Sequence, residues 1–351
     1  MQSMSRFERL RPRDSTFVHF CDAIGERAEA TRRDGPWQSG AFPLLAKSGV
    51  LAAFIPAECG GTEADEPLII EALVAIAERC LTTALALTQW ASACRIIAAG
   101  PPEVRTAWLP ALARGESFTT VGISHLSTSR RHLAAPALAA RRDDDGWRLD
   151  GTCPWVTGAD SSHTIVTGAV TSPGEQLFFI VPTDAAGLSI APPLDMLALS
   201  GSRTSSVAFA GVRPAAVIAH SGSGVRTGGL ATTALALGST RASLAVLEDE
   251  AANRPGLAPI AERLRAELGD LATELDSAAG GGISPEARDR LRGDANSLVV
   301  RTAQAALTAS KGAGFVAGHP AERLVRESLF FLVWSCPQTV ADSMLCDLAG
   351  T

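Results

Sequence analysis

Apolar residues fall into three blocks of different rhythm. Over residues 67–80, Leu, Ile, Val and Ala occupy more than one helical face, the pattern of a buried helix. Residues 81–99 continue it, with Trp90 inside, until Gly100, Pro101 and Pro102 stop it. A shorter amphipathic stretch over 103–113 ends at Arg114 and Gly115. Between 117 and 219 the chain changes to short runs rich in Val, Ile, Thr and Phe, at 118–123, 163–168, 176–181 and 205–209. Asp143, Asp144, Asp145 and Gly146 read as a hairpin turn between 137–140 and 147–149. Beyond the Ser-Gly stretch 221–224 the helical period returns and holds to Leu348. It breaks once at 279–285, where Ser284 and Pro285 suit an N-cap and the first helical position.

Helices, then strands, then helices describe an α+β chain and not the alternation of a doubly wound sheet. The pattern predicts an N-terminal helical domain over 1–116, a middle antiparallel β-barrel or sandwich over 117–219, and a C-terminal helical bundle over 220–351. Within the strand block, residues 151–159 hold Trp155 and Thr157 two apart, so an extended chain sends both to one face. That pair is either a buried core Trp beside a β-favouring Thr, or an aromatic wall beside a hydroxyl, suited to a planar heteroaromatic ligand.

Composition narrows the class. Hydrophobic residues make up 46% and charged ones 19% of 351 residues, enough for a large core. A net charge of −6 gives no basic field for nucleic acid. Seven cysteines without a CxxC pair suit reduced structural thiols, and no run of 18 apolar residues free of charge suggests a membrane span. The N-terminus is basic without the apolar stretch of a signal peptide, so a cytoplasmic location is expected. With no tyrosine, any phenolic acid or base is excluded.

Several segments, in order, resemble the FAD-dependent acyl-CoA dehydrogenase superfamily: 44–61, 103–116, Gly312 to Phe315 and 320–326, arranged around the Trp-x-Thr strand. The resemblance implies that Trp155 lies against the isoalloxazine and that Thr157 donates to flavin N5. Val121, Ile123 and Ser124 would meet the other edge of the ring. Arg254 would reach the FAD pyrophosphate across a dimer interface, a role that suits a guanidinium fork. Thr308 stands where the family has a Gln, and Gly312 would admit the ADP half.

The chain also departs from that pattern. Most members place a glutamate base twenty residues after the Phe of their glycine motif, and here that position is Ser335. The alternative helix position is occupied by Gly228 and Gly229, so neither expected base is present. The loop after Ser124 gains His125, whose imidazole suits proton transfer near neutrality. It also gains Arg130 and Arg131, which could meet the phosphates of CoA or of a carrier-bound phosphopantetheine. Lys311 replaces the first glycine of the family's glycine motif, which weakens the adenine end and makes FMN or a loosely held reduced flavin conceivable.

Three readings follow. The first is a flavoprotein that desaturates an acyl-CoA or carrier-protein acyl thioester, with His125 or Ser335 serving the proton and electrons passing to an electron-transfer flavoprotein. The second is a monooxygenase that takes reduced flavin from a flavin reductase and uses O2. The third is a non-catalytic homologue acting as a binding or subunit scaffold. A homodimer or homotetramer is expected in each case.

Overall fold

The computed structural model describes residues 11, 12, 14–30, 41–127, 136–172, 174–219, 229–334 and 338–349. Its helices are α1 (Ser15–Ala30), α2 (Phe42–Lys47), α3 (Val50–Ala53), α4 (Glu66–Arg79), α5 (Leu81–Ala98), α6 (Pro102–Ala113) and α7 (Ser124–Ser127). After the strands come α8 (Leu230–Asn253), α9 (Ala258–Gly281), α10 (Pro285–Ser310), α11 (Pro320–Ser328) and α12 (Gln338–Ala349). The strands are β1 (Thr119–Gly122), β2 (Leu138–Asp143), β3 (Gly146–Val156), β4 (Thr164–Thr171), β5 (Gln176–Pro182), β6 (Leu188–Ile190), β7 (Ser205–Val212) and β8 (Ala216–Ala219). The chain divides into two compact units. One comprises Met1–Ala64, Leu85–Met196 and Ser200–Arg226, and the other Asp65–Ala84, Leu197–Leu199 and Thr227–Thr351.

In the first unit the strands form one sheet in the order β6-β7-β3-β2-β4-β5-β8, with β1 also on β4. The sheet is mixed, which corrects the purely antiparallel expectation: β1 and β2 both run parallel to β4. Alternation of apolar residues reports which face a side chain takes and says nothing of strand direction. Parallel neighbours need long connections, and those are invisible to a local pattern. The Asp143 to Gly146 hairpin forms as read, with those two residues paired across the turn and Gly146 at φ 121°.

One face of the sheet carries a core of Leu138, Leu149, Cys153, Val156, Ile165, Phe179, Val207 and Phe209, among others. Strand β4 is buried on both faces. A Cβ at Gly168 would overlap Leu126 of α7, so glycine there lets that short helix close on the strand. Phe42 meets Phe118 edge to face at 5.0 Å, joining α2 to the segment just ahead of β1, and Phe54 at the end of α3 meets Trp90 of α5 at 6.0 Å.

The second unit is helical. Asp65 caps α4 by accepting from Leu68 N, and Ser284 caps α10 by accepting from Ala287 N, with Pro67 and Pro285 in the first turns. Helices α4 and α8 meet at backbone distance, because a Cβ on Gly238 would strike the Val74 carbonyl. By length and composition α8 could cross a membrane, but 72% of its most apolar window is buried inside the protein, as for a core helix. Buried Arg292 of α10 donates to Asn296 Oδ1 (2.9 Å) and to the Trp334 carbonyl (3.1 Å), and Asn296 donates to the Phe331 carbonyl (2.9 Å).

Candidate functional site

The strand that bears Trp155 is shaped by two bulges. Between Cys153 and Val156, β3 has one residue more than its partner: Cys153 pairs with Val207 and Val156 with Ser205. Upstream, Leu149 and Cys153 point into the core; downstream, Val156 does. The bulge therefore changes which parity of residue faces inward. Uninterrupted alternation from Leu149 would have carried Trp155 into the core. Instead the indole is 49% exposed, which decides against a core Trp.

The second bulge lies on β7. Leu149 pairs with Val212 and Asp150 with Ala210, leaving Gly211 as the extra residue at φ 65°. Asp150 Oδ1 accepts from Gly211 N at 2.7 Å and Arg148 donates to the Gly211 carbonyl at 3.2 Å. The two bulges compensate, since both strands advance equally between the flanking pairs.

Thr157, two residues after Trp155 in the turn that ends β3, is almost fully buried. Its carbonyl accepts from Thr120 Oγ1 at 2.8 Å, and Gly158 N donates to the Ser202 carbonyl at 2.9 Å. Its own hydroxyl lies 3.2 Å from Thr204 Oγ1, which lies 2.9 Å from Ser202 Oγ. Arg203 Nε donates to Asp160 Oδ2 at 2.7 Å, closing the turn on the far side. A Cβ on Gly122 of β1 would face Cys153 Sγ and Val156, so Gly122 looks into the core. By alternation Val121 and Ile123 take the opposite face, the one onto which the bulge turns Trp155. Val121 is buried, while Ile123 and Ser124 are half-buried.

His125 is buried, and its Nε2 lies 2.8 Å from the Gly168 carbonyl. The ring thus ties α7 to β4, a use the sequence did not reveal. Arg130, Arg131 and Ser335 lie outside the described residues. The chain just ahead of Ser335 is held by Arg292 and Asn296, with Phe330 stacked on Trp334 at 5.0 Å.

In the helical unit, Arg254 Nη2 donates to Glu250 Oε2 at 2.6 Å and also to the Ala309 carbonyl. The guanidinium so caps the end of α10. Thr308 returns its hydroxyl to the Gln304 carbonyl at 2.8 Å. Lys311 ends α10 at φ 53°, ψ −144°, a backbone region that favours glycine. Gly312 is exposed, and a Cβ there would meet nothing within 4 Å. Sequence reasoning overlooked Ser202, Thr204 and Thr120. A Ser-x-Thr spacing just before a strand was the one local signal, and only tertiary pairing gives it meaning.

The acyl-CoA dehydrogenase N-terminal domain model matches residues 13–116. Human mitochondrial short-chain specific acyl-CoA dehydrogenase is 26% identical over 314 residues, covering 80% of this chain and 75% of the relative. The chain is thus similar to the acyl-CoA dehydrogenase superfamily, by that domain in its N-terminal third and more distantly over most of its length. Solved structures share its fold. Butyryl-CoA dehydrogenase from Megasphaera elsdenii superposes with a TM-score of 0.80 at 17% identity, covering 96% of this chain and 97% of that one. Dibenzothiophene monooxygenase from Paenibacillus sp. A11-2, solved also with FMN bound, superposes at 0.74 and 18% identity, covering 95% and 96%.

Proposed function

We propose that this protein is an FAD-dependent oxidoreductase that oxidises an acyl thioester at the wall formed by Trp155 and Thr157. Similarity to acyl-CoA dehydrogenases supports the flavoprotein class and the FAD cofactor. The observation that carries the reading to this surface is the exposed Trp155, turned out of the core by a bulge and set beside a buried hydroxyl. An indole face offers stacking area to a planar tricyclic ring, and a hydroxyl offers one directed hydrogen bond. These residues fit the isoalloxazine. Bound there, the flavin would supply a two-electron acceptor. The chain would orient it through Trp155, Thr157 and the backbone of Val121, Ile123 and Ser124. Arg254, Thr308 and Gly312 are the candidates for the pyrophosphate and adenosine portions.

The acyl group would arrive on CoA or a carrier protein, with Arg130 and Arg131 as its phosphate contacts and a homo-oligomer as the working form. Electrons would leave to an electron-transfer flavoprotein. Ser335, in place of the glutamate base, has no acidic group of its own, so proton removal needs a relayed water or His125. That same serine favours a second reading, the oxygen-dependent chemistry for which the dibenzothiophene monooxygenase is named. No α-proton need be removed there.

The purified protein separates the readings. Bound FAD bleached anaerobically by short acyl-CoA esters is the expected result. Colourless protein that consumes O2 only with supplied reduced flavin would replace desaturation with oxygenation. Failure to take up any flavin would overturn both.

A further inference from the structure

Arg254, the residue that follows α8, turns its guanidinium back onto the protein. A guanidinium clasps a phosphate or carboxylate with two parallel N–H bonds, along either its Nη1–Nη2 edge or its Nε–Nη2 edge. Both edges use Nη2. In this chain Nη2 already serves Glu250 Oε2, at 2.6 Å, and the Ala309 carbonyl, as many acceptors as it has hydrogens. A phosphate is left with single contacts to Nε or Nη1, or it must displace the carboxylate.

The neighbouring groups offer little in exchange. Glu250 belongs to a run of three acids, Glu248 to Glu250, and its charge balances that of the guanidinium. Thr308 gives its hydrogen to the Gln304 carbonyl and keeps only lone pairs, which a phosphate cannot use. The Lys311 N–H is turned to the Thr308 carbonyl. The Lys311 ammonium is exposed, a point charge on a flexible stem that salt screens. At Gly312 a Cβ would meet nothing within 4 Å, so no wall of the chain stands close to that backbone.

We propose that Glu250 withholds Arg254 from the FAD pyrophosphate, so that the protein recognises its cofactor by the flavin mononucleotide half and gains little from the AMP half. The inference rests on the FAD reading above and says which part of that cofactor is held. Arg254, Thr308 and Gly312, the candidates for the pyrophosphate and adenosine, present no fixed set of donors to either. Glu250 is a positioning residue that acts through Arg254, and its effect falls on the AMP half.

The test is a fluorescence titration of the full chain, freed of bound flavin, with FAD and with FMN; thermal unfolding is the fold check. The wild type is expected to bind FAD less than about tenfold more tightly than FMN, what one residual hydrogen bond contributes. Glu250→Ala is expected to tighten FAD about fivefold, roughly what an exposed ion pair withholds, and to leave FMN unchanged. The gain is lost when Arg254→Ala is added. A tenfold or greater preference of the wild type for FAD overturns the inference. So does a Glu250→Ala variant in which FAD and FMN affinities move together or not at all, or a gain that survives the loss of Arg254. The wild-type comparison needs no variant and decides the matter should Glu250→Ala not fold. A chain that takes up FAD alone overturns only the role of Glu250, whereas one that takes up neither flavin overturns the function as well.

Discussion

Two glycines from the segments that resemble the family sit in opposite circumstances. At Gly151, in the strand leading to Trp155, φ is 135° and a Cβ would collide with the Ala137 carbonyl. At Gly312, just past α10, a Cβ would meet nothing within 4 Å. Next to each, the contrast repeats. Thr157 is pinned by Thr120 and by the Gly158 to Ser202 bond, whereas Lys311 occupies a glycine-favouring conformation with a side chain that does not suit it. The hairpin meets its own conformational demands; the helix end retains the path of a glycine motif without its first glycine. The segment that carries Trp155 and Thr157 is thus the more strictly built of the two.

The most disruptive test of that contrast is Gly151→Ala. Steric overlap at positive φ is expected to remove about 2–4 kcal/mol of stability, seen as a lower midpoint in urea. A loss under 1 kcal/mol would show that the hairpin is not so constrained. Next in size is Trp155→Ala, which should weaken FAD binding about tenfold (about 1.4 kcal/mol) in a fluorescence titration while leaving stability nearly unchanged. Arg254→Ala should cost less FAD affinity than this, about threefold, because its guanidinium already serves Glu250 and Ala309. If Arg254→Ala is the more damaging of the pair, the contrast is inverted. Lys311→Gly should then stabilise the fold by about 1 kcal/mol through relief of strain. Smallest of all, Gly312→Ala should leave stability within about 0.5 kcal/mol of the parent.

Local chemistry made much of this legible in the sequence. Ser284 and Pro285 announced a helix start, and Asp143 to Gly146 a hairpin, because caps and tight turns are decided by the residues that form them. The parallel pairing of β1 and β2 with β4 was hidden, since strand direction depends on distant connections. The fate of Trp155 was open for a related reason. Its face depends on a register shift against β7, fifty residues downstream, and not on its own neighbours. Ser202 and Thr204 were passed over because hydroxyl residues before a strand are ordinary until another strand lines up beside them. His125 suits proton transfer by residue type, and only the fold shows that its buried ring also binds the Gly168 carbonyl through Nε2.

The paired bulges invite one more thought. Alternation along a strand works like a two-letter reading frame, and the extra residue near Trp155 is a frameshift. The extra Gly211 on the facing strand is a compensating shift, so the pairing of the two strands is the same on either side of the window. What the protein shows a ligand there is set by counting residues as much as by choosing them. Within that window, a gain or loss of one residue could create or erase a recognition surface while the rest of the sheet kept its phase.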